Sequence, residues 1–289
     1  MGDQTEPTSQ THHDALHDDA LGKDLVLKAR HRALWALGDY PALAADIIPG
    51  LGVVLVDAAR VQPGDRVLDV AAGTGNASLP AARAGANVVA SDLTPELLDV
   101  GRRLAEEQGV DIEWREADAE SLPFADDSFD AVLSCVGVMF APHHQASADE
   151  LVPVCRAGGT IALLSWTPEG FIGQMFAAMK EYAPTPPPEA QPPPLWGNAE
   201  HVRTLLGNSV TDVVERKATV RVDHFSNAEG FRDYFKTRYG PTISVYRTIG
   251  DDAGRVAALN QGLAELARKH DLGDGVMEWE YLLLTASVR

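Results

Sequence analysis

The stretch Arg66–Gly75 constrains the fold of this chain more than any other. It reads Arg-Val-Leu-Asp-Val-Ala-Ala-Gly-Thr-Gly, and a turn sequence, Gln62–Asp65, precedes it. The apolar first half is typical of a parallel strand that is buried on both faces. Gly73 and Gly75 lack a Cβ, so the backbone after the strand can approach a ligand closely and then turn into a helix. The stretch therefore predicts a strand-to-helix turn that binds a nucleotide-like ligand.

A second predicted strand, Val88–Ser91, ends at an acidic residue. Asp92 lies 19 positions after Gly73, which is the spacing at which an acid meets ribose hydroxyl groups in doubly wound folds. Thr94-Pro95 then starts a helix, with Pro95 at the first helical position. The order of strand, glycine loop, helix, strand and acid predicts an α/β fold with a doubly wound, mostly parallel sheet.

The same order of elements occurs in dinucleotide-binding proteins, so two enzyme classes compete. A dinucleotide fingerprint has a third glycine or alanine three residues after the second one, and this chain has Ser78 at that position. Ser78 argues against an NAD-dependent oxidoreductase, which stays the alternative enzyme class. A cofactor-binding protein without catalytic activity is the other alternative.

Three segments after Asp92 carry a family resemblance: Glu116–Ala119, Leu122–Phe124 and Asp127–Asp130. Together with the glycine loop, they make the chain from about Val67 to Trp166 similar to class I S-adenosylmethionine-dependent methyltransferases. The resemblance is greatest to the type that acts in ubiquinone and menaquinone biosynthesis. It implies a Rossmann-like methyltransferase fold with a seven-stranded sheet, an N-terminal helical cover and an inserted helical lid.

By position, the resemblance also implies a binding site for S-adenosylmethionine as the cofactor. Its residues would be Asp69, Ala71, Gly73, Thr74 and Gly75 in the first motif, Asp92 and Leu93 at the ribose, Asp118 and Ala119 at the adenine, Cys135 after the fourth strand, and Tyr40 as part of the cover. Each has a simpler interpretation. Asp69 can merely fix the turn, Asp118 can be an ordinary loop acid, and Cys135 can be a small core residue.

The rest of the chain divides by composition and periodicity. The predicted parts are a disordered tail over 1–22, the helical cover over 23–62, the cofactor-binding core over 63–167, a lid with a proline-rich connector over 168–215, and the C-terminal part of the core with an acceptor-pocket helix over 216–289.

Candidate catalytic and acceptor-binding residues are few. His143 and His144 follow the fourth strand at the carboxyl edge of the sheet and can act on an acceptor, although a structural role at a helix entry is favoured. Tyr234, Phe235 and Arg238 share one face of a predicted helix and are candidates for the acceptor pocket. An arginine in that position can equally extend to solvent.

Composition limits the partners. The formal net charge is −18, which argues against nucleic acid because binding it needs a concentrated basic surface. The sequence has no membrane-spanning run and predicts a cytoplasmic protein. Its two cysteines lack metal-ligand spacing, and His12, His13 and His17 lie in the predicted tail, so no metal is expected. The expected function is methyl transfer to a small molecule through an oxygen, nitrogen, sulfur or carbon atom.

Overall fold

The computed structural model describes residues 22 and 24–289. The predictions for the tail over 1–22, including its three histidines, lie outside these residues except at Gly22. The described chain begins with three helices: α1 (24–35), α2 (Tyr40–Ile47) and α3 (Leu51–Ala59). The Asp39 side chain accepts a hydrogen bond from the Ala42 N–H and so starts α2. These helices lie in the segment 23–62, for which an N-terminal helical cover was predicted.

A seven-stranded sheet forms the centre of the molecule. Its strands are β1 (Arg66–Val70), β2 (Asn87–Asp92), β3 (Ile112–Glu116), β4 (Phe129–Cys135), β5 (Cys155–Trp166), β6 (Val210–Val222) and β7 (Met277–Val288). They are ordered β3-β2-β1-β4-β5-β7-β6. The first five strands are parallel, whereas β7 runs antiparallel to both β5 and β6. The predicted fold class, a mostly parallel seven-stranded sheet, is confirmed.

The strand order reverses between β1 and β4. From β1 the chain moves outward through α4 (Ser78–Arg83), β2, α5 (Pro95–Gln108) and β3, and then returns to β4 on the other side of β1. Helix α6 (His144–Val154) connects β4 to β5. Because parallel crossovers are right-handed, this reversal places helices on both faces and opens a crevice at the carboxyl ends of β1 and β4.

Helices are added to this sheet in two separate segments. Helices α7 (Phe171–Met179) and α8 (Ala199–Leu206) precede β6, and α9 (Ala228–Arg238), α10 (Gly240–Ile249) and α11 (Ala253–His270) lie between β6 and β7. The predicted lid boundary at residue 215 falls inside β6. This strand lies at the edge of the sheet and exposes most of its residues, so its hydrophobic pattern is too weak to reveal it in the sequence.

An aromatic cluster joins these added helices to the sheet. Phe171 of α7 stacks on Trp279 of β7, with ring centroids 5.0 Å apart, and Phe231 of α9 packs edge-on against Phe171 at 4.9 Å. All three side chains are almost completely buried. Burial of each stabilises the fold by roughly 1.5–3 kcal/mol, so α7 and α9 are held as part of the core.

The proline-rich connector runs beside the crevice. Residues 184–189 are exposed, and the chain then enters a 3-10 helix, Pro193–Gly197, in which Trp196 is buried. The Gln191 N–H donates to the carbonyl of Pro142 over 2.9 Å. The connector therefore touches the loop that follows β4.

Within the described part of the chain, no single helix is both long and apolar enough to cross a membrane. Helices α2 and α3 meet the length and composition criteria only as a pair, and their axes are bent by 72° at the break between them.

Candidate functional site

The floor of the crevice is the end of β1. Asp69 is 1% exposed and accepts a hydrogen bond of 2.6 Å from the Ser78 hydroxyl at Oδ2. Its other oxygen, Oδ1, has no hydrogen-bond partner among the described residues. Burial raises the pKa of Asp69 to about 7. Ser78, the residue that replaces the third glycine of a dinucleotide fingerprint, is thus occupied in holding this carboxylate.

The loop after β1 uses left-handed backbone conformations. Ala71, Gly73 and Gly75 have φ angles of 54°, 57° and 92°. A Cβ on Gly75 would come within 2.8 Å of the Trp114 ring, whereas one on Gly73 would meet only Tyr40, at 3.5 Å. Gly75 is therefore needed for packing beneath the loop, and Gly73 leaves the loop open towards the crevice.

Asp92 fastens this loop to the end of β2. Its Oδ2 accepts a 2.8 Å hydrogen bond from the Gly73 N–H, and its Oδ1 accepts one of 2.8 Å from the Thr94 N–H. Burial raises the pKa of Asp92, although these backbone hydrogen bonds oppose the shift. A carboxylate oxygen has two lone pairs, so both oxygens keep the capacity to accept a hydroxyl group from a ligand.

Helix α1 covers the crevice through basic side chains. The Lys28 side chain is 9% exposed, and its ammonium group donates to Asp118 Oδ1 over 3.0 Å and also to Glu120. Arg32 donates to the carbonyl of Leu93 over 2.9 Å and pairs with Glu116. Lys28 was not predicted from the sequence to belong to the site. Two patterns in the sequence could have indicated this contact. Acidic residues alternate at 116, 118 and 120, and the basic residues Lys28 and Arg32 lie four positions apart on a predicted helix.

These elements enclose a first cleft with about 650 Å³ of empty space, its open mouth included. The cleft is lined by Lys28, His31, Trp35, Tyr40, Ala71, Gly73, Asp92, Leu93, Thr94, Leu97, Ala117, Asp118, Ala119, Val136, Gly137, Phe140, Ala141 and Pro142.

Seven of the predicted cofactor residues line this cleft, and four lie behind its surface. Those in the lining are Tyr40, Ala71, Gly73, Asp92, Leu93, Asp118 and Ala119. Asp69, Thr74, Gly75 and Cys135 support it from below; the Cys135 side chain is buried at the end of β4, and burial raises the pKa of its thiol. Residues of the loop after β4, from Val136 to Pro142, complete the lining and were not predicted from the sequence.

The cleft suits a ligand that carries ribose hydroxyl groups and an amino-substituted ring. Asp92 offers acceptors for hydroxyl groups, and Asp118 Oδ2 has no partner among the described residues and can accept from an amino group. Leu97, Ala119 and Pro142 supply apolar walls. Burial and the neighbouring Lys28 lower the pKa of His31, so this residue is uncharged at neutral pH.

A second cavity, with about 340 Å³ of empty space when its open mouth is included, adjoins the first cleft. It is lined by Tyr40, Leu43, Ile48, Val136, Phe140, Trp166, Ile172, Phe235, Tyr239 and Trp279. Tyr40, Val136 and Phe140 line both spaces. These three side chains therefore form the boundary between the first cleft, which contains the charged residues Lys28, Asp92 and Asp118, and an apolar cavity.

Of the predicted acceptor-binding residues, only Phe235 lines this cavity. Tyr234 instead donates a 2.7 Å hydrogen bond to Asp46 Oδ2, and Arg238 lies over the Tyr234 ring and pairs with Asp39 at 3.4 Å. These two side chains fasten α9 to the start and end of α2. The sequence predicted that Tyr234 and Arg238 share one face of a helix. It did not predict that this face contacts Asp39 and Asp46, because those residues lie in a distant part of the chain.

The two candidate catalytic histidines lie outside both cavities. His144 is 0% exposed between α6 and α8, where its Nδ1 is 2.9 Å from Nε2 of His201 and its ring packs on Trp196. Burial lowers the pKa of His144 to about 3. This side chain has no access to a ligand, so of the two roles considered for His144 the position fits the structural one at a helix entry and not the catalytic one. His143 is bound to Glu120 through both its N–H and its Nδ1, at 2.7 and 2.8 Å.

Asp24, Glu120 and His143 form a cluster whose possible ligand atoms all lie within 4.8 Å of one another. The Lys28 ammonium group binds Glu120 in this cluster. A positive charge thus already sits where a metal ion would bind, and the cluster serves to hold α1 on the loop after β3.

The sequence of this chain is similar to those of known proteins. Residues 68–163 match the family model of a methyltransferase domain. An uncharacterised protein of Mycobacterium tuberculosis (strain ATCC 25618 / H37Rv) is 53% identical over 272 residues, which cover 94% of this chain and 99% of that protein. The demethylmenaquinone methyltransferase of Renibacterium salmoninarum is 41% identical over 114 residues, covering 39% of this chain and 46% of that enzyme.

Among solved structures, the YcgJ protein of Bacillus subtilis has a similar fold. It superimposes with a TM-score of 0.56 at 18% sequence identity, and the match covers 82% of this chain and 97% of that chain. The similarity to this structure supports the fold, whereas the sequence matches to methyltransferases support the activity. The resemblance predicted from the sequence is confirmed: the chain is an enzyme that belongs to the class I S-adenosylmethionine-dependent methyltransferases.

Proposed function

We propose that the first cleft binds S-adenosylmethionine and that the second cavity binds a small-molecule methyl acceptor. In this arrangement Asp92 binds the ribose hydroxyl groups, Asp118 and the Ala119 N–H bind the adenine, and the loop at Ala71 and Gly73 faces the methionine end. The observation that carries this proposal is the boundary formed by Tyr40, Val136 and Phe140, which line both spaces.

S-adenosylmethionine supplies a methyl carbon that its sulfonium group already activates. The protein then has to align the acceptor with that carbon and keep water away. Trp35 contributes to both tasks, because its ring packs against Tyr40 at 5.5 Å and against Phe140 at 4.6 Å. The boundary between the two spaces is thereby held in one geometry, and position contributes more to catalysis than acid–base chemistry.

Calorimetry on a variant at Asp92 tests the cofactor site. Asp92→Ala removes the acceptor for the ribose hydroxyl groups, which should cost roughly 1.5–3 kcal/mol, or about ten- to a hundredfold in affinity for S-adenosylmethionine and S-adenosylhomocysteine. The matched control is Asp99→Ala on α5, where the side chain is 63% exposed and pairs with Arg102. The control should bind both ligands with the affinity of the unaltered protein.

Because Asp92 also fastens the glycine loop, Asp118→Ala serves as a second variant, and the melting temperature of each is measured. We expect weaker binding in Asp118→Ala without loss of folding. Unchanged affinity in both variants would contradict the assignment. Tight binding of NAD that S-adenosylhomocysteine does not displace would favour the oxidoreductase alternative, and binding without transfer to any acceptor would favour a non-catalytic protein.

An acceptor of metabolite size is favoured over nucleic acid by the net charge of −18 and by the small volume of the second cavity. The cytoplasmic location expected from the sequence stays a prediction. Fractionation of cells that produce the tagged protein is the measurement that checks it.

A further inference from the structure

Four aromatic side chains meet where the first cleft adjoins the second cavity. Tyr40 and Phe140 line both spaces. Trp35 lines the first cleft, and Tyr239 lines the second cavity. The centroid of the Trp35 ring lies 5.5 Å from that of Tyr40, 4.6 Å from that of Phe140 and 5.9 Å from that of Tyr239. We call these four side chains the boundary rings.

The boundary rings lie at steep angles to one another. The plane of Trp35 makes an angle of 81° with Tyr40, 64° with Phe140 and 70° with Tyr239. In an edge-to-face pair the positive edge of one ring lies against the negative face of another. Because all four rings also line the two spaces, they border the passage between these spaces from several directions.

Carboxylates contribute little to the lining around this passage. Among the described residues, the acids that line the first cleft are Asp92 and Asp118, and the lining of the second cavity includes no charged side chain. In the function proposed above, Asp92 binds the ribose and Asp118 binds the adenine. Asp69 is 1% exposed and lies behind the lining. The rings are therefore the groups in the lining that a cation at the passage would contact.

The methyl donor carries its positive charge at this passage. Its methyl carbon has to reach an acceptor in the second cavity, so the sulfonium lies at the boundary. A sulfonium has no N–H or O–H group to donate, whereas the negative face of an aromatic ring attracts any cation. We propose, on the basis of the function proposed above, that the boundary rings bind the sulfonium group of S-adenosylmethionine by cation–π contact, with Tyr40 and Phe140 in direct contact.

This contact distinguishes the cofactor before transfer from the cofactor after it. A lone pair of the acceptor forms a bond to the methyl carbon while the bond between methyl and sulfur breaks, and the electron pair of that bond stays on sulfur. The thioether of S-adenosylhomocysteine is therefore uncharged and loses the attraction. A cation–π contact of ordinary strength then favours S-adenosylmethionine over S-adenosylhomocysteine by about 2- to 30-fold in affinity.

Fluorination of the Phe140 ring tests the charge on the ring face. Phenylalanine with one, two or three fluorine atoms replaces Phe140 in the full chain, which nearly keeps the shape of the ring and withdraws electrons from its face. Calorimetry should show that affinity for S-adenosylmethionine falls with each added fluorine, by about threefold or more at three. Affinity for S-adenosylhomocysteine should stay within twofold throughout.

Equal losses for the two ligands, or no loss for either, would overturn the proposal. If the unaltered protein binds neither ligand, the function proposed above is rejected, and the proposal for the rings with it.

Phe140→Leu removes the ring and keeps an apolar side chain. We expect the ratio of S-adenosylmethionine affinity to S-adenosylhomocysteine affinity to fall at least threefold. The matched control is Phe124→Leu, whose ring packs on Phe129 at 5.2 Å and lies outside the lining of both cavities. The control should keep the ratio of the unaltered protein. An equal ratio in the two variants would contradict a role for the Phe140 ring.

Two variants at Tyr40 separate the ring from its hydroxyl group. Tyr40→Phe keeps the ring and should leave the affinity ratio within twofold, whereas Tyr40→Leu should lower it at least threefold. A similar fall in both variants would assign the recognition to the hydroxyl group and overturn the proposal. Asp69→Asn tests the carboxylate behind the lining. Loss of the ratio in Asp69→Asn, with no effect of fluorine at Phe140, would assign the attraction to that charge instead.

Discussion

At the scale of single residues, the two buried acids of the site are held differently. Asp92 has a backbone N–H for each oxygen, whereas Asp69 has one hydroxyl partner and one oxygen without any. Only the first arrangement compensates a carboxylate for most of its lost hydration. The ionised form of Asp69 therefore destabilises the folded state more than the ionised form of Asp92 does.

This difference predicts how stability depends on pH. The pKa of Asp69 is raised from 3.8 to about 7 by burial, so between these values the folded state binds more protons than the unfolded state. The contribution of Asp69 to stability therefore falls as pH rises from about 4 to about 7. Asp69→Asn carries no charge and should be more stable than the parent protein at pH 8, by roughly 2–4 kcal/mol, with no such gain at pH 4.

Urea denaturation at pH 4, 6 and 8 measures this effect. The matched control is Asp111→Asn, at an exposed position before β3, which should change stability little at any pH. A gain for Asp69→Asn of the same size at all three pH values would contradict the explanation by charge.

At the scale of elements, one tryptophan sets how α5 and the glycine loop fit together. The ring of Trp114 in β3 lies where a Cβ on either Gly75 or Gly101 would be, and a Cβ on Gly101 would also lie 3.1 Å from the carbonyl of Thr74. The loop that faces the first cleft and helix α5 therefore share one packing contact. A substitution in α5 is therefore transmitted to the glycine loop through the Trp114 ring.

A pair of glycine substitutions tests this contact. Gly101→Ala gains about 0.5–1 kcal/mol of helix propensity but overpacks against Trp114, which costs about 1–3 kcal/mol. We expect a net loss of stability in chemical denaturation. Gly262→Ala in α11 has no heavy atom within 4 Å of the new Cβ, so it should stabilise the protein by about 0.5–1 kcal/mol. Stabilisation by both substitutions would show that Trp114 moves aside freely.

At the scale of the whole molecule, α1 closes a site that is otherwise built on the sheet. Lys28 binds acids that lie 90 and 92 positions further along the chain. Trp35, at the end of the same helix, packs on Tyr40, Phe140 and Tyr239. One helix thus covers the first cleft at one end and meets the wall of the second cavity at the other.

Lys28→Met should loosen this cover. It leaves Asp118 and Glu120 without their cation, and because Asp118 is 25% exposed the cost should be roughly 1–3 kcal/mol, below the ~3–5 kcal/mol of a fully buried pair. We expect faster amide hydrogen exchange in 24–35 with no change in β1, and affinity for S-adenosylhomocysteine reduced about threefold or more. Arg30→Met, at an exposed position on the same helix, is the control. Equal exchange in the two variants would contradict the role of Lys28.

The sequence by itself determined the strand, the glycine loop and the acid that form one side of the first cleft. A short apolar run, two glycines and an acid at the end of the next strand are local signals, because strand, turn and helix each depend on neighbouring residues. The parallel order of the strands then brings Gly73 and Asp92 to the same edge, where they form a hydrogen bond. The fold class followed from the same residues, whereas the methyltransferase family followed only when the segments between Glu116 and Asp130 were added to them.

Only the tertiary structure decided the rest. The second cavity joins side chains from Tyr40 to Trp279, and no periodicity within one element shows which distant faces will meet. For the same reason Tyr234 and Arg238 could be assigned to a helical face but not to their partners on α2. His144, which stands next to the carboxyl edge in the sequence, is buried because α8 brings His201 against it. Local patterns specify which face of an element is apolar, and long-range packing decides what that face encloses.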